Sequence, residues 1–125
     1  MRYSKRFEVT LPLERIELCN IDLQEFCSRS FVKEYAYILH ELPNSHSHYH
    51  LYVELDRKFS DVDLVVALRL PFSDGSKMVW GLCFVDLLGR TSTKQILTYF
   101  MKGYSITDLV TNIDLSALFS DLVAK

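Results

Sequence analysis

From His48 onward the chain reads His48-Tyr49-His50-Leu51-Tyr52-Val53-Glu54-Leu55, an alternation of period two that fits an extended strand with two unlike faces. His48, His50 and Tyr52 fall on one side, and Tyr49, Leu51, Val53 and Leu55 on the other. The second set is core material. The first holds two imidazoles about two residues of rise apart, roughly 7 Å along the strand. All 4 histidines of the chain, His40, His46, His48 and His50, crowd into this one stretch. Clustering of that kind points to a metal site, with His46 read as a loop residue rather than a ligand.

A chain of 125 residues is one domain by size and buries a core without disulfides or structural metals, so a metal here is expected to be functional. Hydrophobic residues at 49% and charged residues at 24% are the balance of a soluble globular domain. No apolar run approaches the roughly 20 residues needed to span a bilayer, and the basic N-terminus lacks a signal-peptide core. No membrane partner and no secretion are expected. The odd set Cys19, Cys27 and Cys83, with no CxxC pair, reads as free thiols in a reducing compartment. A net charge of −2 argues against broad electrostatic binding to duplex DNA, so any nucleic-acid contact is local or cation-assisted.

The alternation in Arg6-Phe7-Glu8-Val9-Thr10-Leu11-Pro12 predicts a first strand with Phe7, Val9 and Leu11 inward and Glu8 and Thr10 outward. Asp22 caps a helix carrying Leu23, Phe26, Cys27 and Phe31, and a strand follows at about 33–42. Pro43-Asn44-Ser45 turns the chain into the histidine strand. Ser60-Asp61 caps a second helix, Val62 to Leu70, which Pro71 and Asp74-Gly75 end before a strand from Lys77 to Leu88. Gly89-Arg90-Thr91-Ser92 opens a third helix at about 93–102, and Ile106 to Lys125 reads as one or two short amphipathic helices. The order β-α-β-β-α-β-α predicts a single α+β domain, an antiparallel sheet of about five strands with helices on one face.

Two histidines need a third ligand, and the preceding strand offers His40 and Glu41. Ala36, Ile38 and His40 share one face there, Tyr35, Tyr37, Leu39 and Glu41 the other. If the small aliphatics Ala36 and Ile38 face the helices, Glu41 joins His48 and His50 on the open side. A bulge near Pro43 would shift the parity and bring in His40 instead. Two imidazoles and a carboxylate leave positions free for a substrate oxygen and suit Mn²⁺, Zn²⁺ or Fe²⁺ better than Mg²⁺.

On the third helix Ile96, Leu97, Phe100 and Tyr104 form the apolar stripe, while Gln95, Tyr99 and Lys102 lie opposite. The core therefore does not account for Tyr99. Lys102, three residues on, is its surface neighbour, and a cation beside a phenol favours the ionised form. That pair suits a nucleophile.

Taken in order, Phe7-Glu8-Val9-Thr10-Leu11-Pro12, His48-Tyr49-His50 and Tyr99-Phe100-Met101-Lys102 resemble the three motifs of HUH endonuclease domains. The likeness is nearest to the replication initiators (Rep) of circular single-stranded DNA viruses and related plasmids, and it spans about residues 5–104. Glu41-Leu42 resembles the family's acidic ligand position, and Lys94-Gln95 the approach to its nucleophile. The chain departs from the viral pattern in having Tyr49, not an aliphatic residue, between the histidines, and plasmid relatives offer both a similar His-Tyr-His and a histidine before the acidic position. Viral initiators of this kind are longer, so the chain is expected to be a nicking domain without a helicase domain.

The resemblance implies an RRM- or ferredoxin-like sheet and rolling-circle initiation at an origin, in a host nucleus or cytoplasm. It implies Tyr99 as the residue that becomes 5′-phosphotyrosyl, Lys102 as its helper, and Glu41, His48 and His50 as ligands of Mn²⁺ or Mg²⁺. Single-stranded DNA is the implied partner, with a helicase or polymerase beside it. Contacts to DNA are expected from Thr10, Glu8, Tyr52, Lys94 and Gln95, with Arg2, Lys5, Arg6 and Arg90 as further phosphate contacts. Two rivals stand: a non-catalytic RRM-like module stacking bases on sheet aromatics, and a metal-dependent hydrolase without a covalent step.

Overall fold

The computed structural model describes residues 2–43, 47–68 and 84–120. In chain order these form β1 (Tyr3–Pro12), α1 (Leu13–Leu18), α2 (Leu23–Cys27), β2 (Val32–His40), β3 (His48–Ser60), α3 (Asp61–Ala67), β4 (Phe84–Leu87), α4 (Thr93–Phe100), a 3-10 turn (Ile106–Asp108), β5 (Val110–Thr111) and α5 (Leu115–Leu118). The strands make one 5-stranded sheet in the order β4-β1-β3-β2-β5, every neighbouring pair antiparallel. The expected α+β architecture is present, with the histidine strand β3 at its centre. Among the described residues no helix is long and apolar enough to cross a membrane.

Local chemistry fixes the helix starts. Asp22 accepts the Glu25 N–H at 3.0 Å, and Ser60 with Asp63 and Ser92 with Gln95 form reciprocal capping boxes that satisfy donors a helix otherwise leaves bare. Helix α1 and the two-residue strand β5 are additions to the elements expected from the sequence. Pro71, Asp74-Gly75, most of the Lys77–Leu88 strand, Cys83 and His46 lie outside the described residues.

One expectation is overturned: helices cover both faces of the sheet. On the first face Phe7, Val9 and Leu11 of β1 and Leu51, Val53 and Leu55 of β3 pack with Leu23, Phe26 and Cys27 of α2 and Leu64 and Val65 of α3. On the second, Ala36, Ile38 and Tyr52 pack with Ile96, Leu97 and Phe100 of α4 and with Leu109 and Phe119. The apolar stripe of α4 and the C-terminal segment need a partner surface, and the face carrying Ala36 and Ile38 supplies it.

Burial in the first core pushes the Cys27 thiol up to about 12, so the reactive thiolate is scarce at neutral pH. Alkylation of the native protein at pH 8 should leave Cys27 unmodified, with modification only after denaturation. Rapid labelling of that peptide in the native state, read by mass spectrometry, would contradict this packing.

Candidate metal centre beside helix α4

Register, not a bulge, sets which residues meet. Strands β2 and β3 pair without interruption from Glu34 to His40, placing Ile38 opposite His50 and His40 opposite His48. Directly opposed residues share a face, so His40, His48 and His50 emerge together, and one ligand nitrogen from each lies within 4.8 Å of the others. Three histidines are thus close enough to hold a metal ion. The expected carboxylate is not among them: Glu41 has the opposite parity, is exposed at the strand end, and its backbone N–H donates to the Tyr104 hydroxyl at 3.1 Å. Strand parity favours Glu41 only if the face behind Ala36 and Ile38 carries no histidine. In fact α4 covers the very face from which the histidines project.

The ring geometry fits an ion. His48 Nε2 and His50 Nε2 are 3.2 Å apart, and two nitrogens each about 2.1 Å from one ion in adjacent positions stand roughly 3.0 to 3.4 Å apart. His40 Nε2 lies 2.6 Å from the Phe100 carbonyl oxygen. A carbonyl only accepts, so Nε2 carries the proton and Nδ1 keeps the lone pair. That bond also satisfies a carbonyl that the end of α4 leaves without a helical partner.

Aromatic contacts hold the rings in place. His40 stacks on Tyr104 with centroids 4.5 Å apart, His50 stacks on Phe100 at 5.2 Å, and the Tyr99 ring meets His50 edge-on at 5.7 Å.

His50 is 6% exposed. Burial, with the neighbouring His40 and His48 adding to it, pushes its pKa down to about 4, so the imidazole is neutral at physiological pH, the form a metal requires. Its folded-state value lies below the usual 6.5 of an imidazole, so the unfolded chain takes up the proton first and stability falls as pH drops from about 6.5 towards 4. The loss reaches up to about 3 kcal/mol in metal-free protein. Urea denaturation in chelator at pH 7 and pH 4.5 should show a pH penalty that shrinks in His50→Gln; an equal penalty in both proteins would refute the assignment.

The Nδ1 of His50 is buried and makes no hydrogen bond within the protein. Glu8 Oε1, on the adjacent strand and the same face, is 3.8 Å away, beyond hydrogen-bonding distance but within reach of a small side-chain shift. A carboxylate behind a ligating imidazole fixes its tautomer and orientation. Glu8→Gln should therefore weaken metal binding about 10- to 100-fold by titration calorimetry; undiminished affinity would exclude this role.

The other sequence-derived site residues divide clearly. Thr10 lies directly opposite His50 on β1 and so shares the centre's face. Tyr99 is 57% exposed despite its contact with His50, and Lys102, also exposed, donates its backbone N–H to the Tyr99 carbonyl at 3.3 Å. Lys94 is exposed, with Nζ 6.0 Å from the centre of the Phe119 ring. Gln95 is engaged in the capping box of α4.

Tyr52 is a correction. It is 0% exposed, enclosed by α4, so no base can stack on it. Its hydroxyl joins a clamp instead: Arg6 Nε donates to Tyr52 Oη at 3.2 Å, Arg6 Nη1 to the Gly89 carbonyl at 3.1 Å, and Arg6 Nη2 to Thr93 Oγ1 at 3.4 Å. Arg6, expected at phosphate, thus ties the start of α4 to the sheet. Sequence reasoning missed both this clamp and the His40–Phe100 link, since each joins residues at least 46 positions apart. The sequence matches no protein-family model and no curated protein.

Proposed function

We propose that the chain nicks and rejoins single-stranded DNA at a replication origin by transesterification through Tyr99, initiating rolling-circle replication. One observation carries the reading: an exposed tyrosine stands edge-on to His50 in a cluster of three histidines. A water-activating hydrolase has no need of a tyrosine there. The all-imidazole donor set favours Mn²⁺ over Mg²⁺, which prefers oxygen ligands. When bound, the ion withdraws charge from the phosphoryl oxygens as a Lewis acid.

Tyr99 gives up its phenolic proton to solvent and its oxygen attacks phosphorus. The bond from phosphorus to the 3′-oxygen breaks, and that oxygen leaves with a proton as a 3′-hydroxyl. The 5′-phosphate stays on Tyr99, so the bond energy is kept, and a later attack by a 3′-hydroxyl restores the diester and frees the tyrosine. Lys102, a residue beyond the end of α4, offsets the charge of the scissile phosphate. His40, through the Phe100 carbonyl, holds the end of α4 so that Tyr99 keeps its place beside the cluster.

The rival reading as a base-stacking module loses support from the burial of Tyr52 and from the cover that α4 gives its face. Incubating the protein with a single-stranded oligonucleotide library and Mn²⁺ tests the proposal. A denaturation-resistant protein–DNA adduct is expected, and sequencing the attached strands reports the cleaved site. Cleavage yielding only free ends would replace it with hydrolysis.

A further inference from the structure

Beyond the end of α4, Gly103 adopts φ 82°, a left-handed conformation that glycine reaches without a Cβ clash, and the chain turns back. The return brings Tyr104 and Ile106 round to form, with Tyr99, Met101, Lys102 and Phe119, an open groove of about 480 Å³. Its lining is aromatic and aliphatic except at Lys102 and one threonine. The groove adjoins the candidate metal centre, because two of its lining residues also touch the histidines: Tyr99 meets His50 edge-on and Tyr104 stacks on His40. Two lysines accompany it, Lys102 in the lining and Lys94 with Nζ 6.0 Å from the centre of the Phe119 ring.

We infer that this groove takes an unstacked nucleobase of the DNA strand, the one next to the phosphate that Tyr99 attacks. The inference rests on the nicking function proposed above and adds a base-recognition subsite to it. A nucleotide presents a flat apolar π-face joined to an anionic phosphate, and the groove presents aromatic and aliphatic walls beside ammonium groups. Neither a purely apolar peptide nor a free anion uses both halves. Seating a base here draws it out of the strand and turns its phosphate towards Tyr99, so one contact supplies both grip and orientation. Stacking tolerates any base, so the groove contributes affinity and register more than strict sequence choice.

Binding of a fluorescent oligonucleotide that carries the cleaved site, measured by anisotropy on Tyr99→Phe protein with Mn²⁺, separates this inference from the nicking reading. In a series with one abasic position each, a single position flanking the scissile phosphate should weaken binding about tenfold or more. That penalty should fall below about threefold in Ile106→Ala and in Met101→Ala, neither of which alters a histidine, Tyr99 or Lys102. Thermal melts establish that each variant is folded, and either one alone suffices for the comparison. If wild-type protein forms the adduct but no abasic penalty depends on Ile106 or Met101, the groove assignment is overturned and nicking stands. If the penalty is coupled to these residues but no adduct forms, the groove assignment holds and Tyr99 is not the nucleophile. Absence of both binding and adduct overturns the two together.

Discussion

Tyr99→Phe should abolish the covalent protein–DNA adduct, a drop of at least about 10³-fold, while leaving the fold and the metal affinity intact. Removal of the hydroxyl deletes the atom proposed to attack phosphorus, and effects of that kind are the largest single substitutions produce in a catalytic unit. The aromatic ring remains, so the edge-on contact with His50 is kept and the variant should melt within about a degree of wild type, since a surface substitution away from core and caps changes stability little. The check is a denaturing gel after incubation with single-stranded DNA and Mn²⁺. An adduct persisting in Tyr99→Phe would move the nucleophile elsewhere.

His40→Ala should weaken Mn²⁺ or Zn²⁺ binding by more than about 100-fold, whereas Glu41→Ala should change it less than about threefold. Loss of a ligand exceeds the 10- to 100-fold cost usual for a supporting residue, and Glu41 lies outside the histidine cluster. The pair of substitutions separates a three-imidazole site from the two-imidazole, one-carboxylate site that strand parity first suggested. Calorimetric titration reads both, and equal losses would restore Glu41 to the ligand set. His40→Ala carries a second consequence, because His40 Nε2 also donates to the Phe100 carbonyl. Without that bond the end of α4 loses its tie to β2, so adduct formation should suffer even at saturating metal.

Local features were legible in the sequence and long-range ones were not. The caps at Asp22, Ser60 and Ser92 follow from residues three positions apart, and the shared face of His48 and His50 follows from the two-residue period of a strand. The off-core position of Tyr99 was equally plain from the stripe of Ile96, Leu97 and Phe100. Choosing between His40 and Glu41 needed the register of β2 against β3, set by pairings that extend to Val32 and Leu55. The burial of Tyr52 depended on where α4 docks, which no window around Tyr52 contains. Glu8 was read as a DNA contact because its face was right; its closeness to His50 Nδ1 needed the pairing of β1 with β3.

The interdigitation of His40 on β2 with His48 and His50 on β3 has a meaning for folding as well as for chemistry. The three imidazoles meet only when the β2–β3 hairpin has closed in its native register, because a one-residue slip sends one strand's imidazoles to the opposite face. An unfolded or misregistered chain therefore offers at most a partial site. A divalent ion held there would act as a thermodynamic proofreader of strand alignment, drawing the hairpin towards the one pairing that satisfies all three rings. On the proposed metal site, affinity for the ion would double as a gauge of how completely the centre of the sheet has assembled.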